Sequence, residues 1–396
     1  MNTIKYATWA EHIQPSIMQK MLERSNNPNM ISFALGLPDP SLFPIEEYKI
    51  SINNVANSSN KSFQYSPQID SLKENIVTLM KSRGVVCNKN EILITSGAQQ
   101  AINLLSRLLL NDKGIVAISS ITYPGFLQVI TPFSASIVSI PISAGTGLDE
   151  SMLDNVFRST INKPSFFYIV SSGNNPLGIN INNEQKKLIA NLSKKYKIPV
   201  IEDDCYGFLS YEKPNSPIKS LEHEWVFYVG SFSKILSPSF RTGWIIAPEE
   251  VISKLAFVKE ASDINTTTFG YRVIDDLLNR DVLISHLPMI RGHYKKKRDL
   301  MIQSIKQNFP LNAKIYKPDN GFFIWVELPE HINTTKLLDI SLDRGIAFVP
   351  SEEFACDKLH KTHNGLRLNF SHCSLEQIKK GINILGKLIT KTSLYN

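Results

Sequence analysis

The chain has 396 residues, a formal net charge of +7, 42% hydrophobic and 20% charged residues. That length allows two domains and a large core, and the composition excludes a disordered or collagen-like chain. No apolar run approaches the ~20 residues that span a bilayer, and the start MNTIKYATWAEHIQPSIMQ has no signal-peptide core, so no membrane segment is expected and a cytoplasmic protein is. The four cysteines, at 87, 205, 356 and 373, form no CxxC pair, which argues against a disulfide framework or a metal site and for a reducing compartment.

In chain order, residues 1–30 read as an arm with one short amphipathic helix, and 45–57 and 70–83 as helices. EILITS (91–96) is a strand and AQQAINLLSRLLL (98–110) a helix. Apolar runs at 114–119, 135–141, 165–171, 198–203, 225–230 and 243–248 are further strands, with helical patterns at 183–197 and 249–262 between or after them. Such alternation predicts an α/β domain with a largely parallel sheet covered by helices, whose strand C-terminal ends gather on one ligand-binding edge. A helical stretch at about 265–306 follows, then strands around a Asp319–Asn320–Gly321 turn in 314–329, a helix at 334–345, strands at 346–350 and 365–371, and a closing helix at 374–391. The second pattern suggests a smaller α+β domain. We therefore expect an arm (1–30) packing with the small domain, a large domain (31–280) and a small domain (281–396). The KKKR run at 295–298 reads as a solvated helix face rather than a nucleic-acid patch.

Six segments carry candidate chemistry. TSGAQQ (95–100) opens a helix after a glycine turn, so Ala98 and Gln99 could present free N–H groups and an amide to a phosphate; a plain strand–turn–helix reads the same way. Tyr123, in ITYPGF, could stack on a heterocycle or fill a core. Asn175, before Pro176, could donate to a phenolate-like oxygen or serve only in a turn. VIEDDCYGF (200–208) ends a strand on carboxylates: Asp203 and Tyr206 could reach the nitrogen and hydroxyl of one ring, or Asp203 or Asp204 could cap a helix. GSFSKILSPSFRTGW (230–244) places Ser231, Ser233, Lys234 and Arg241 after an apolar run. Two hydroxyls, an amine and a permanent cation suit an imine to a phosphorylated aldehyde, against the alternative of a solvated loop. Arg367, inside the strand LRLNFS, could clamp a carboxylate with its planar fork or form a structural salt bridge.

Taken with ISFALGLPDPSLFP (31–44), FQYSP (63–67) and NNPLG (174–178), this ordered series resembles the fold type I pyridoxal-phosphate enzymes, the class I/II aminotransferases, and within them the 2-aminoadipate and kynurenine aminotransferase branch. The resemblance covers nearly the whole chain. It implies a seven-stranded, mostly parallel sheet and pyridoxal 5'-phosphate held as an aldimine on Lys234, which also shuttles the proton. It further implies Asp203 on the ring nitrogen, Tyr206 and Asn175 on the ring hydroxyl, and Tyr123 on the ring face. Ala98, Gln99, Ser231, Ser233 and Arg241 would hold the phosphate, and Arg367 with Asn175 the substrate carboxylate, under a segment closing at Gly36. Tyr65 would reach the phosphate of a neighbouring subunit, which implies a homodimer with shared active sites acting on an amino acid and a 2-oxo acid.

Leu35, Asp70 and Gly173 depart from the family pattern and are expected to alter pocket walls. Transamination is the expected reaction; elimination, γ-replacement or O₂-dependent oxidation on the same cofactor is the alternative. A DNA-binding regulator is opposed by the short stretch before Ile31, too short for a winged-helix domain of ~60 residues. No nucleic acid, metal or membrane partner is expected.

Overall fold

A computed structural model describes residues 4–11, 19, 21, 30–357, 359–360 and 362–394. The helix expected inside residues 1–30 lies largely outside them; what is described there includes one short turn at Thr8–Ala10.

The strands are β1 (Ile31–Ser32), β2 (Ile92–Thr95), β3 (Ile115–Ser119), β4 (Ser136–Ile140), β5 (Ile142–Ser143), β6 (Gly147–Leu148), β7 (Phe166–Val170), β8 (Val200–Asp203), β9 (Val226–Ser231), β10 (Gly243–Ile246), β11 (Lys314–Tyr316), β12 (Phe323–Glu327), β13 (Ile346–Ala347), β14 (Val349–Pro350) and β15 (Gly365–Asn369). Seven of them form one sheet in the order β2-β10-β9-β8-β7-β3-β4. β10 is antiparallel to both neighbours and the other pairs are parallel. The expected α/β fold with a mostly parallel seven-stranded sheet is therefore what the chain adopts.

Alternate residues of each strand enter opposite layers, as the two-residue period of a strand requires. Leu93, Ile118, Phe166, Tyr168, Ile201, Val229 and Ile245 face one apolar layer, with helices Ala98–Leu109, Pro124–Ile130 and Glu249–Asp263. Ile92, Ile94, Phe167, Ile169, Val200, Tyr228 and Trp244 face the other, beneath Asn183–Tyr196. The parallel strands end on one edge, and the reversed β10 brings its own start, after Arg241, to that same edge.

The C-terminal part is a four-stranded antiparallel sheet, β11-β12-β15-β14, with helices Thr334–Asp343 and Leu375–Leu394. β1 pairs in parallel with β13 as a separate two-stranded sheet, so the start of the expected large domain is sewn to the C-terminal part of the chain. The helical stretch at 265–306 resolves into Thr268–Asn279 and the 27-residue Val282–Asn308, separated where Asp281 takes a left-handed φ of 57°. Three elements lacked a sequence signal long enough to identify: the β5–β6 ribbon and the short helices Pro124–Ile130 and Glu150–Arg158.

The KKKR run corrects its expectation. It lies on the long helix, but Lys297 and Arg298 are buried rather than solvated. Among the described residues no helix is long and apolar enough to cross a membrane, and no cluster of His, Cys, Asp and Glu could hold a metal ion.

Candidate active site

A cavity of about 440 Å³ opens at the strand-end edge, where the two sheets meet. Twelve of the thirteen sequence-predicted site residues line it: Gly36, Ala98, Gln99, Tyr123, Asn175, Asp203, Tyr206, Ser231, Ser233, Lys234, Arg241 and Arg367. The thirteenth, Tyr65, is 75% exposed and is not part of this wall.

The end nearest β2 suits an anion. Helix Ala98–Leu109 starts behind Gly97 (φ 79°) without a side-chain cap, so its first N–H groups are free to face a ligand. Gln100 Oε1 accepts from Ser96 N at 2.7 Å and its amide donates to Asp263 Oδ2 at 2.6 Å, which holds the turn from behind. Arg241 has a left-handed φ of 47° and donates to Ser96 O at 3.3 Å. A Cβ on Gly97 would stand 2.7 Å from Arg241 Nη2 and be strained at that φ, so the glycine lets the guanidinium lie this close to the turn. Ser231 Oγ donates to Ser233 Oγ at 3.0 Å beside it.

In the centre stand Asp203, Tyr206, Tyr123 and Lys234. β8 delivers Asp203, 6% exposed, whose Oδ2 accepts from the Tyr168 hydroxyl at 2.8 Å. Burial pushes this carboxyl up, and its hydrogen-bonding neighbours, the Tyr168 hydroxyl and the Cys205 thiol, are neutral. A cation set against it would hold it ionised. The next residue, Asp204, turns away and pairs with buried Arg83 at 2.9 Å; neither aspartate caps a helix. Tyr123 donates to Gln99 Oε1 at 3.2 Å, and burial pushes its phenol up to about 12.

Lys234 Nζ donates to Gly36 O at 2.8 Å. Burial, reinforced by the Arg241 and Arg367 charges and opposed by Cys205 and Asp203, lowers its amine to about 8. A depressed lysine is a better nucleophile and proton carrier at neutral pH.

On the far side Arg367 is fully buried. It donates to Asn175 Oδ1 at 2.5 Å and to Ala34 O, and its guanidinium lies 4.2 Å from the Phe323 ring centroid and 5.0 Å from that of Phe354. Burial lowers it to about 10, so it stays charged at neutral pH. Of the three departures expected to alter pocket walls, only Leu35 lines the cavity. Asp70 begins a surface helix and pairs with Lys89 at 3.0 Å; Gly173, at φ 55°, stands outside the lining, behind Tyr206.

The sequence reading missed Gln19, Leu37, Ile102, Val170, Cys205, Pro238 and Phe323. Apolar wall residues carry the same signal as core residues. Cys205 was the findable one, because it sits between two assigned positions.

The set fits pyridoxal phosphate end to end: an uncapped helix start with two serines and Arg241 for a phosphate, a buried carboxylate for a ring cation, and a neutral-prone lysine for an aldehyde. Residues 29–385 match the family described as aminotransferase class I and II. The chain belongs to this family. It is 32% identical to the aromatic-amino-acid aminotransferase 1 of Thermococcus litoralis, over 95% of this chain and 92% of that one. The crystal structure of the kynurenine aminotransferase of Pyrococcus horikoshii superposes with a TM-score of 0.91 at 32% identity, covering 98% and 97% of the two chains. That of the alpha-aminoadipate aminotransferase of Thermus thermophilus, complexed with N-(5'-phosphopyridoxyl)-L-leucine, gives 0.90 at 27% identity, covering 99% and 98%. The chain is thus a pyridoxal-phosphate-dependent aminotransferase of fold type I, in the branch that includes these enzymes, and amino-group transfer is its reaction.

Proposed function

We propose that the chain moves the amino group of an L-amino acid with an apolar or aromatic side chain to a 2-oxo acid, and that residues lining the cavity divide the work as follows. Pyridoxal phosphate supplies an aldehyde that receives the amino group and a ring that draws electrons from the substrate Cα. Lys234 would hold the aldehyde through its Nζ, and the same amine would carry the proton off the substrate Cα. Asp203 holds a proton on the ring nitrogen. Tyr206 and Asn175 would bond the ring hydroxyl, and Tyr123 would pack against the ring. Ala98, Gln99, Ser231, Ser233 and Arg241 bind the phosphate. Arg367 clamps the substrate carboxylate, with Asn175 beside it, and Leu35, Leu37 and Phe323 exclude water on that side.

The observation that carries this reading is that Lys234, Asp203 and Arg367, far apart in sequence, line one cavity. The apolar walls and the aromatic and kynurenine substrates in the names of similar proteins favour an apolar donor. Tyr65 we assign to the phosphate of a second copy in a homodimer with shared sites. Its exposure, and that of Phe63 stacked on Phe269 at 5.3 Å, supports such an interface. We place residues 31–280 in the cofactor domain and 281–396 in the small one, with 31–39 moving with the latter, and the protein in the cytoplasm, where its four free cysteines are at home.

The test is a titration. Holoenzyme absorbance is followed while phenylalanine, kynurenine, leucine, 2-aminoadipate and aspartate are added singly. Loss of the visible band at the lowest concentrations with the apolar and aromatic donors supports the proposal. A response to the acidic donors alone overturns it.

A further inference from the structure

The basic run at 295–298 is a sequence feature that the site has not absorbed. Lys297 is only 2% exposed, and its Nζ reaches both the Asp39 carboxylate and Ser371 O, the latter at 2.8 Å. His293 Nε2 stands 3.0 Å from the same Asp39 oxygen, and the Tyr294 hydroxyl accepts from Asp39 N at 3.0 Å. Ser371 Oγ donates to Leu37 O at 2.6 Å.

These contacts fall on one short strap, residues 34–39, of which Leu35, Gly36 and Leu37 line the cavity. Ala34 O is held by Arg367, Leu37 O by Ser371, and Asp39 by Lys297 and Tyr294. All four holders lie between residues 294 and 371. From the large sheet's side, Lys234 holds Gly36 O. Once that amine is engaged with an aldehyde or a substrate proton, the strap depends on the other side. Burial alone would raise the Asp39 carboxyl, but the Lys297 and Ser41 bonds outweigh it and bring it to about 2, so the ion pair persists at neutral pH. A buried ion pair adds little stability over an apolar pair of the same size, which makes a positional role the better account of its presence.

We propose that Lys297 and Asp39 are positioning residues for amino-group transfer: their pair, seated on Ser371, fixes the Leu35–Leu37 strap so that it completes the substrate side of the cavity beside Arg367. This rests on the assignment of Lys234 and Arg367 above. Neither member of the pair lines the cavity.

The experiment uses holoenzyme carrying Lys297→Met, the double variant Asp39→Asn/Lys297→Met, and Ser371→Ala. Cofactor content, borohydride fixation, melting temperature, KM for an amino donor and kcat are measured for each. In Lys297→Met the expected result is a roughly tenfold rise in KM, with cofactor content and fixation at Lys234 as in the parent. The double variant removes the stranded charge, so its melting temperature should recover towards the parent while KM stays raised. A KM equal to the parent's in Lys297→Met, or restored in the double variant, overturns the proposal, as does a fall in melting temperature with kinetics unchanged. If Lys297→Met does not fold, the double variant decides. If neither folds, Ser371→Ala decides: it removes the Leu37 bond and must raise KM about threefold or more, or the proposal fails. A parent without fixation at Lys234 would instead refute the cofactor assignment and leaves no ambiguity between the two.

Discussion

Arg367→Lys separates carboxylate recognition from every other property of the site. The substitution keeps a cation in the pocket and removes the planar fork that grips a carboxylate with two parallel bonds. One charge-assisted hydrogen bond contributes about 1.5–3 kcal/mol, so kcat/KM for an L-amino acid should fall about ten- to hundredfold. Burial adds to the loss. The same pocket that lowers the guanidinium to about 10 acts on a lysine whose ordinary value, near 10.4, starts about two units lower, leaving part of it uncharged at neutral pH. The assay is single-turnover absorbance with an aromatic amino acid and, in parallel, with the amine left by removing its carboxylate. The amine offers nothing for Arg367 to hold, so its rate constant should change by less than about threefold. Arg367 also bonds Asn175 and Ala34, which gives the control its force. Equal losses for the two substrates would mean that the arginine is a brace for the cavity wall, and the carboxylate assignment would fall.

Four further outcomes follow from the same geometry. Capture of added pyridoxal phosphate by the apoenzyme requires the neutral Lys234 amine, so its rate should climb with pH and level off above about 8, the value to which burial lowers that amine; a rate flat from pH 6 to pH 9, an interval that brackets that value, contradicts it. Because this folded pKa lies below the unfolded one, the unfolded chain binds more protons between about 8 and the ordinary 10.5, and this group's destabilisation of the apoenzyme, full below 8, should fade across that window in melting curves compared with Lys234→Met. Asp203→Asn should cost roughly 10²–10³ in kcat with cofactor still bound, whereas Tyr168→Phe, which removes one bond to that carboxylate, should cost about tenfold or less; equal effects would contradict the ring-nitrogen role. Gly36→Ala places a Cβ 2.8 Å from the Phe323 ring and 3.4 Å from the Tyr206 hydroxyl, so it should raise KM and destabilise by about 1–3 kcal/mol, read by kinetics and thermal melting.

The large sheet was legible because most of its strands are short apolar runs buried on both faces, three of them leading to a residue with chemistry: Ser96 just after β2, Asp203 and Ser231. The topological rule then put those ends together before any coordinate did. The substrate side was less legible. Leu37 and Phe323 line the cavity, yet in sequence they look like any core residue, whereas Leu35 stood out only as a departure from the family pattern. Asp204 and Asp203 are adjacent and chemically alike, and only the alternation of the chain leaving β8 sends one to Arg83, 121 positions away, and the other to the cavity. Lys297 and Arg298 were misread for the same reason. A run of four cations looks solvated until its partners appear, and those are Asp39, Glu212 and backbone oxygens distant in sequence. The Asp70 departure failed for a different reason: it starts the helix that the sequence pattern located, but no local pattern showed that this helix stands away from the cavity.

The central claim is that one amine, that of Lys234, carries the cofactor. Borohydride reduction of the holoenzyme followed by peptide mass spectrometry tests it most directly. The phosphopyridoxyl mass is predicted on the peptide containing Lys234 and absent from Lys234→Met treated in the same way. The same adduct on another lysine, or its persistence in Lys234→Met, would contradict the account.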